Sequence, residues 1–275
     1  MTERRGVAIL ANDGICDWLL PFLDSYRHHN PDLPIYLIPY DDRMERVARA
    51  AAAYDVRILD DDFGAIDRLA ATLYPFHPKR RHRLRKFQCL ALPLDEVMYI
   101  DVDTIVFRDL SVLFGRLRPG HAEFIIASTS PEWVYTQRRQ DYPELANATL
   151  FSDGFFVTSP AILPLARLIE TVGSRRAIFR AVRKWNTYAQ PVANFAVHSL
   201  GLKIASLTEL MPEASCETFY RAQGIKFGDN GPWDIAGREI FFAHWAGAKM
   251  LPSHDLFSPA WQHHAARAAL RVGAA

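Results

Sequence analysis

A short apolar run at residues 7–10 ends in the polar turn Ala11-Asn12-Asp13-Gly14, after which Trp18, Leu19, Phe22, Leu23 and Tyr26 recur at helical spacing. This pattern predicts a strand, a turn and a helix. It returns at Ile-Tyr-Leu-Ile between Pro34 and Pro39, followed by Tyr40-Asp41-Asp42 and an Ala/Arg-rich helical stretch, and again at residues 56–59 before Asp60-Asp61-Asp62. Three strand-helix units in succession predict a parallel α/β sheet with right-handed crossovers. A basic helical stretch at 79–92 then leads into VMYIDVDTIVF, which reads as a buried strand with acids at its end. Beyond it, residues 122–127 and 154–158 read as strands, 161–172 and 190–200 as helices, and 239–243 as a late strand. No linker rich in Pro, Gly or Ser and no internal repeat divides the chain, so a single domain over 1–275 is expected, with its core at 6–250. Residues 128–152 form a variable middle, and 251–275 a helical tail with a solvated surface helix from Ser258.

Composition narrows the function classes. With 49% hydrophobic and 23% charged residues in 275, the chain has the balance of a packed, folded protein. A formal charge of +1 is too small for a surface that tracks nucleic acid, so any anion is bound locally. Cys16, Cys89 and Cys216 are widely spaced and odd in number, which argues against a disulfide framework or a zinc cluster and for a reducing compartment. Asp13 and Asp17 interrupt the first apolar run, which therefore reads as a strand and not as a signal peptide. No stretch reaches the roughly 20 apolar residues of a membrane span. A cytoplasmic protein, or one peripheral to a membrane, is the expectation.

The strongest chemical feature is Asp101-Val102-Asp103. In an extended chain, residues two apart share a face, so both carboxylates would enter one cleft while Val102 packs away. Such a pair is costly to bury unless a cation compensates it, although an acidic loop after a strand has the same pattern. His244 follows the apolar run Ile-Phe-Phe-Ala and precedes Gly247 and Lys249. It suits a nitrogen ligand, with the glycine allowing close backbone approach and the lysine meeting a phosphate. A half-buried histidine beside Trp245 and a solvated lysine is the other reading, and the commoner one for a histidine taken alone. Gln190 and Asn194, four apart on a helix, present amides to one side, where they can bond sugar hydroxyls or cap the helix. Asp153 lies in a polar turn ahead of a strand. Arg83, Arg85 and Lys86, at the end of the run KRRHRLRK, can meet a diphosphate or form a solvated face. Asn12 and Asp13 stand where open α/β sheets bind nucleotides, and can also cap the following helix.

Taken together and in this order, these pieces resemble a GT-A nucleotide-sugar transferase, most closely the retaining glycosyltransferase family 8 of the glycogenin and lipopolysaccharide galactosyltransferase type. The carriers are the first strand into Asn12-Asp13, the stretch KFQCLALPLDEVMYIDVDTIVFRDL, the segment FSDGFFVTS, Gln190 with Asn194, and His244 with Gly247 and Lys249. The resemblance implies an α/β fold, a single GT-A domain with a mixed, mostly parallel central sheet flanked by helices. It implies Asp101, Asp103 and His244 as ligands of Mn2+ (or Mg2+). It also implies contacts to a nucleotide-sugar donor from Asn12, Asp13, Arg85, Lys86, Asp101, Val102, Gly247 and Lys249, with Gln190 and Asp153 as the catalytic candidates. This chain departs from the family in having Ala189 before Gln190 where an acid is usual, Leu84 where an arginine is usual, and only Ala248 between Gly247 and Lys249.

The implied reaction moves a sugar from a nucleoside diphosphate, UDP-hexose in the family reading, to the hydroxyl of a carbohydrate or glycolipid acceptor, with retention by a front-face route. Residues 128–152, with Trp133, Tyr135, Arg138, Arg139 and Tyr142, are the expected acceptor segment. Two other readings compete. Asp101-Val102-Asp103-Thr104 also matches the first motif of haloacid-dehalogenase-like phosphatases, with Asp101 as nucleophile and a late acidic motif between Asp229 and Asp234. A non-catalytic nucleotide-sugar binding protein would need the same pocket without turnover.

Overall fold

The computed structural model describes residues 4–78 and 80–274; Lys79 of the basic run lies outside them. The first half runs β1 (Arg5–Ala11), α1 (Cys16–His29), β2 (Ile35–Pro39), α2 (Glu45–Ala53), β3 (Val56–Ile58) and α3 (Gly64–Leu73), the three strand-helix units the apolar pattern predicts. After a 3-10 stretch at Arg81–Ala91 come β4 (Glu96–Ile100), β5 (Thr104–Val106), β6 (Phe124–Ile126), α4 (Pro143–Ala146) and β7 (Phe155–Thr158). Helices α5 (Leu165–Ser174), α6 (Arg176–Val182) and α7 (Ala189–Ser199) lead to β8 (Ile204–Ser206) and α8 (Leu207–Leu210). The chain ends with β9 (Ala214–Phe219), β10 (Lys226–Gly228), β11 (Gly231–Trp233), β12 (Glu239–His244) and α9 (Ser258–Gly273).

Seven strands form a mostly parallel sheet in the order β3-β2-β1-β4-β7-β6-β8, flanked by helices, with β6 and β7 antiparallel. A second sheet has the order β10-β11-β12-β5, with β9 added parallel to β12. The segment VMYIDVDTIVF is thus not one strand. It belongs to the first sheet up to Ile100, bends through Asp101-Val102-Asp103, and joins the second sheet at Thr104. The basic stretch is also not an α-helix but a 3-10 one, and His244 is the last residue of its strand.

Contacts divide the chain into two compact units. The first comprises residues 1–8, 60–99 and 116–206. Its core includes a run of aromatic rings in which Tyr99 stacks on Phe156, Phe156 on Phe124, and Phe124 meets Phe151, with centroids 5.1–5.4 Å apart.

The second unit comprises residues 9–59, 100–115 and 207–275. Its core gathers Ile105, Phe107, Ile240, Ala243, Trp245, Phe257 and Trp261, with Trp18 packed against it. Helix α9 is not a wholly solvated tail: it buries Trp261, His264 and Ala268 and packs on α1. Asp24 of α1 accepts hydrogen bonds there from His264 Nδ1 at 2.7 Å and from the Tyr54 hydroxyl at 3.2 Å, and pairs with Arg267. A carboxylate buried in this way needs those partners, and two of them come from the polar face of α9.

Candidate metal centre

The centre is built at one end of two neighbouring strands of the second sheet, where one begins and the other finishes. Strand β5 starts at Thr104 and β12 ends at His244, and in their antiparallel ladder these two residues are partners. Asp103, one residue before β5, is held by its carbonyl, which accepts from the Trp245 amide at 2.8 Å. The register brings the Asp103 backbone alongside the end of β12, and the bend at 101–103 carries its carboxylate to the His244 imidazole. One carboxylate oxygen each from Asp101 and Asp103 and one imidazole nitrogen of His244 lie within 4.8 Å of one another. Val102 between the aspartates is buried, while the two carboxylates reach one cluster from a bend and not from an extended strand.

His244 Nε2 stands 3.2 Å from Asp103 Oδ1, and its Nδ1 is 2.6 Å from Glu217 Oε1. Burial by itself disfavours an imidazolium, yet Asp103 at one nitrogen and Glu217 at the other outweigh it and hold His244 well above the usual histidine range. Three ligands of this kind, two hard carboxylate oxygens and a borderline imidazole nitrogen, fit Mn2+ and also admit Mg2+. The fit rests on the donor set itself: two carboxylates this close repel each other unless a cation or a proton lies between them.

The other residues named from the sequence have the following surroundings. Asn12 caps the short 3-10 turn at Asp13–Ile15, accepting from the Gly14 amide at 3.0 Å and donating to Asp41 at 2.8 Å. The Asp13 carboxylate accepts from the amides of Glu45 and Val47, both at 3.0 Å, and so caps α2 across the sequence. Gly247 has φ of +72°, a left-handed conformation, and a side chain there would meet nothing within 4 Å. In this protein its requirement is therefore for backbone conformation. Lys249 is exposed, two residues further on.

In the first unit, Lys86 and Asp153 form a buried ion pair at 3.0 Å, with the ammonium also donating to the Asp153 carbonyl and lying 4.5 Å from the Tyr99 ring centroid. Arg85 forms a two-nitrogen contact with Asp67 and lies over Phe63. Gln190 donates to the Ser130 hydroxyl at 3.0 Å. Asn194 does not present its amide to a ligand. It is fully buried, accepts from the Phe151 amide and donates to the Phe151 and Gln190 carbonyls, fastening α7 to the turn before β7. Sequence reasoning missed Glu217. Its one signal is an acid inside the strand-prone run Cys-Glu-Thr-Phe-Tyr.

No protein-family model matches this sequence, and no curated protein is similar to it at the level of sequence. Solved structures do match. WbbM, a bifunctional glycosyltransferase, superposes with a TM-score of 0.62 at 15% identity over 98% of this chain and 52% of its own. The apo form of the glycosyltransferase GlyE from Streptococcus pneumoniae gives 0.55 at 12% identity over 99% of this chain and 63% of its own. The chain thus spans about half of WbbM and under two thirds of GlyE. The galactosyltransferase LgtC, solved with donor and acceptor sugar analogs, gives 0.54 at 14% identity over 98% of this chain and 95% of its own. These likenesses show the fold, which is the GT-A fold expected from the sequence. Among the described residues, no helix is long and apolar enough to cross a membrane.

Proposed function

We propose that the chain is a metal-dependent glycosyltransferase that moves a sugar from a nucleoside diphosphate to an acceptor hydroxyl. The observation that carries this reading is the Asp101, Asp103 and His244 cluster at the end of two strands in a GT-A fold. Breaking the anomeric C–O bond leaves about three negative charges on the diphosphate, so stabilising the leaving group is the largest task. A divalent ion held by the cluster would supply most of the compensating charge. Lys249, exposed on the short loop after β12, is proposed to bind the same diphosphate directly, and Asp101 and Asp103 to keep its ion in place. UDP as carrier and retention at the anomeric carbon come from the family resemblance, as do the sugar-side roles of Gln190 and Asp153, the donor contacts of Asn12, Asp13, Arg85, Lys86 and Val102, and a carbohydrate or glycolipid acceptor.

The phosphatase reading is disfavoured by the late acid it requires. Asp234 accepts from the amides of Ala236 and Arg238 and pairs with the Arg238 guanidinium at 2.7 Å, which commits it to the turn between β11 and β12. The test is a panel of nucleotide sugars scored for melting temperature and nucleoside diphosphate release, each with Mn2+ and with chelator. Stabilisation and release for a given donor only with the ion, both lost in Asp103→Asn while the melting temperature of the apoprotein stays within about 2 °C, is the expected outcome. Equal stabilisation in chelator, or release of inorganic phosphate from simple phosphomonoesters, would overturn it. Ion-dependent binding with no turnover of any donor would reduce the protein to a binding module.

A further inference from the structure

We infer that Glu217 is a positioning residue for the metal centre: it fixes the imidazole of His244 so that Nε2 is the nitrogen offered to the cation. The inference rests on the metal-site reading above and extends it to a strand, β9, for which neither the sequence nor the comparisons indicate a role.

Three observations converge. The Glu217 side chain has no exposed surface and its Oε1 lies 2.6 Å from His244 Nδ1. A carboxylate this buried accepts only if Nδ1 carries the proton, and a proton on Nδ1 in a neutral imidazole leaves the lone pair on Nε2, the nitrogen that faces Asp103. Two residues along the same strand, Phe219 lies on the face of the His244 ring, with centroids 5.8 Å apart and planes 29° from parallel. Glu217 and Phe219 share a strand face, so one strand sets both the rotation of the ring and its tilt. The ends of the strands are joined as well, because the Tyr220 amide donates to the His244 carbonyl at 3.1 Å.

The backbone just before Glu217 is unusual. Cys216 has φ of +54°, in the left-handed region that side chains other than glycine rarely enter, and the β9/β12 ladder is irregular on both sides of it. Regular pairing resumes at Glu217, opposite Phe242, which puts the carboxylate on the same face as His244. Strain of this kind is costly and persists where the surroundings over-determine it. Stability alone gives no reason to keep a buried acid on a histidine, since an apolar pair of similar volume generally serves a core as well.

The test measures Mn2+ affinity by the EPR signal of the free ion, in wild type, Glu217→Gln, Glu217→Leu and Asp103→Asn. Removing a carboxylate behind a ligating histidine weakens metal binding by about 10–100-fold, with Gln at the lower end because its amide oxygen still accepts, and Leu at the upper. Glu217→Asp, which keeps the charge but shortens the reach, is expected between wild type and Gln. Wild-type affinity in both Glu217→Gln and Glu217→Leu, alongside a loss in Asp103→Asn, overturns the role of Glu217 and leaves the metal centre standing. Equal affinity in wild type and Asp103→Asn removes the metal centre itself. A purely structural Glu217 would lower the melting temperature without changing the affinity of the folded protein. Should both variants fail to fold, long-range proton-nitrogen spectra of Mg2+-saturated wild type decide: a proton on His244 Nδ1 is expected, and one on Nε2 refutes the inference.

Discussion

Acid should weaken the fold at one histidine in particular, and the size of the effect follows from its surroundings. His198 on α7 is buried; its Nε2 donates to the Thr149 carbonyl at 2.9 Å, which leaves Nδ1 to accept from the Tyr135 hydroxyl at 3.1 Å. Burial is the main reason its pKa falls to about 4, against 6.5 for an ordinary histidine, with the Thr149 carbonyl opposing the shift and Arg139 adding to it. The folded state thus binds the proton more weakly than the unfolded one. Its contribution is complete above pH 6.5 and is lost as pH falls toward 4, to a limit of about 3 kcal/mol. Between pH 7 and pH 5 the loss amounts to about 2 kcal/mol. His29, which burial also lowers to about 4, titrates in the same window, so the wild-type curve alone does not isolate His198. His198→Gln does, because the amide stays neutral at every pH. Urea unfolding of both proteins at pH 7.5, 6 and 5 should show the variant less stable at pH 7.5 and the gap closing by about 2 kcal/mol at pH 5. A gap that is constant across this range would refute the account. Tyr135 and Thr149 both lie in the variable middle at 128–152, so this histidine, like Gln190 through Ser130, joins the proposed acceptor segment to α7.

Two further outcomes are expected. Asp153→Asn leaves the Lys86 ammonium buried without its carboxylate and should cost about 3 kcal/mol in chemical denaturation, a good part of which returns when Lys86→Met is added; a loss that grows in the double variant would show that the pair is not what holds this turn. Lys249→Ala should leave the melting temperature of the apoprotein unchanged and weaken nucleoside diphosphate binding by about 1.5–3 kcal/mol, roughly ten- to a hundredfold by calorimetry; wild-type affinity would remove Lys249 from the donor site.

The parts of this protein that were legible in its sequence are those with a period. Residues 7–73 alternate short apolar runs with helical faces, and each run became a strand and each face a helix. Strands β8, β10 and β11 are three residues long and lie in no apolar run that would mark them, and they exist because a neighbour supplies the ladder. The aspartate pair was visible because its residue types are costly without a cation, and His244 because it closes an apolar run. Glu217 was not, since nothing in Ser-Cys-Glu-Thr-Phe-Tyr states that Cys216 takes a left-handed backbone or that β9 lies parallel to β12. Asn194 shows the reverse error. Its spacing from Gln190 is that of two residues on one face, but spacing cannot distinguish an amide facing a cleft from one that closes the backbone of Phe151. The tail was misjudged for a related reason: His264 and Arg267 look solvated until Asp24 is known to lie beneath them.

The construction of the metal centre explains why so few residues specify it. Asp103 and His244 are more than a hundred residues apart in sequence, yet their adjacency follows from one ladder pairing, Thr104 with His244, and one amide bond from Trp245 to the Asp103 carbonyl. Because side chains alternate along a strand, a slip of one residue between β5 and β12 would turn His244 to the opposite face. Such a slip is opposed by the apolar set behind it: Ile105, Ile240, Ala243 and Trp245 share one buried cluster, closed by Phe257 and Trp261. The same core that fixes the register therefore fixes the ligand spacing, and the polar residues at the strand ends need only be the right types. This division of labour lets the ligands stand at the ends of rigid strands while Gly247 and Lys249 lie on the loop that follows, where the backbone can change without disturbing the ladder.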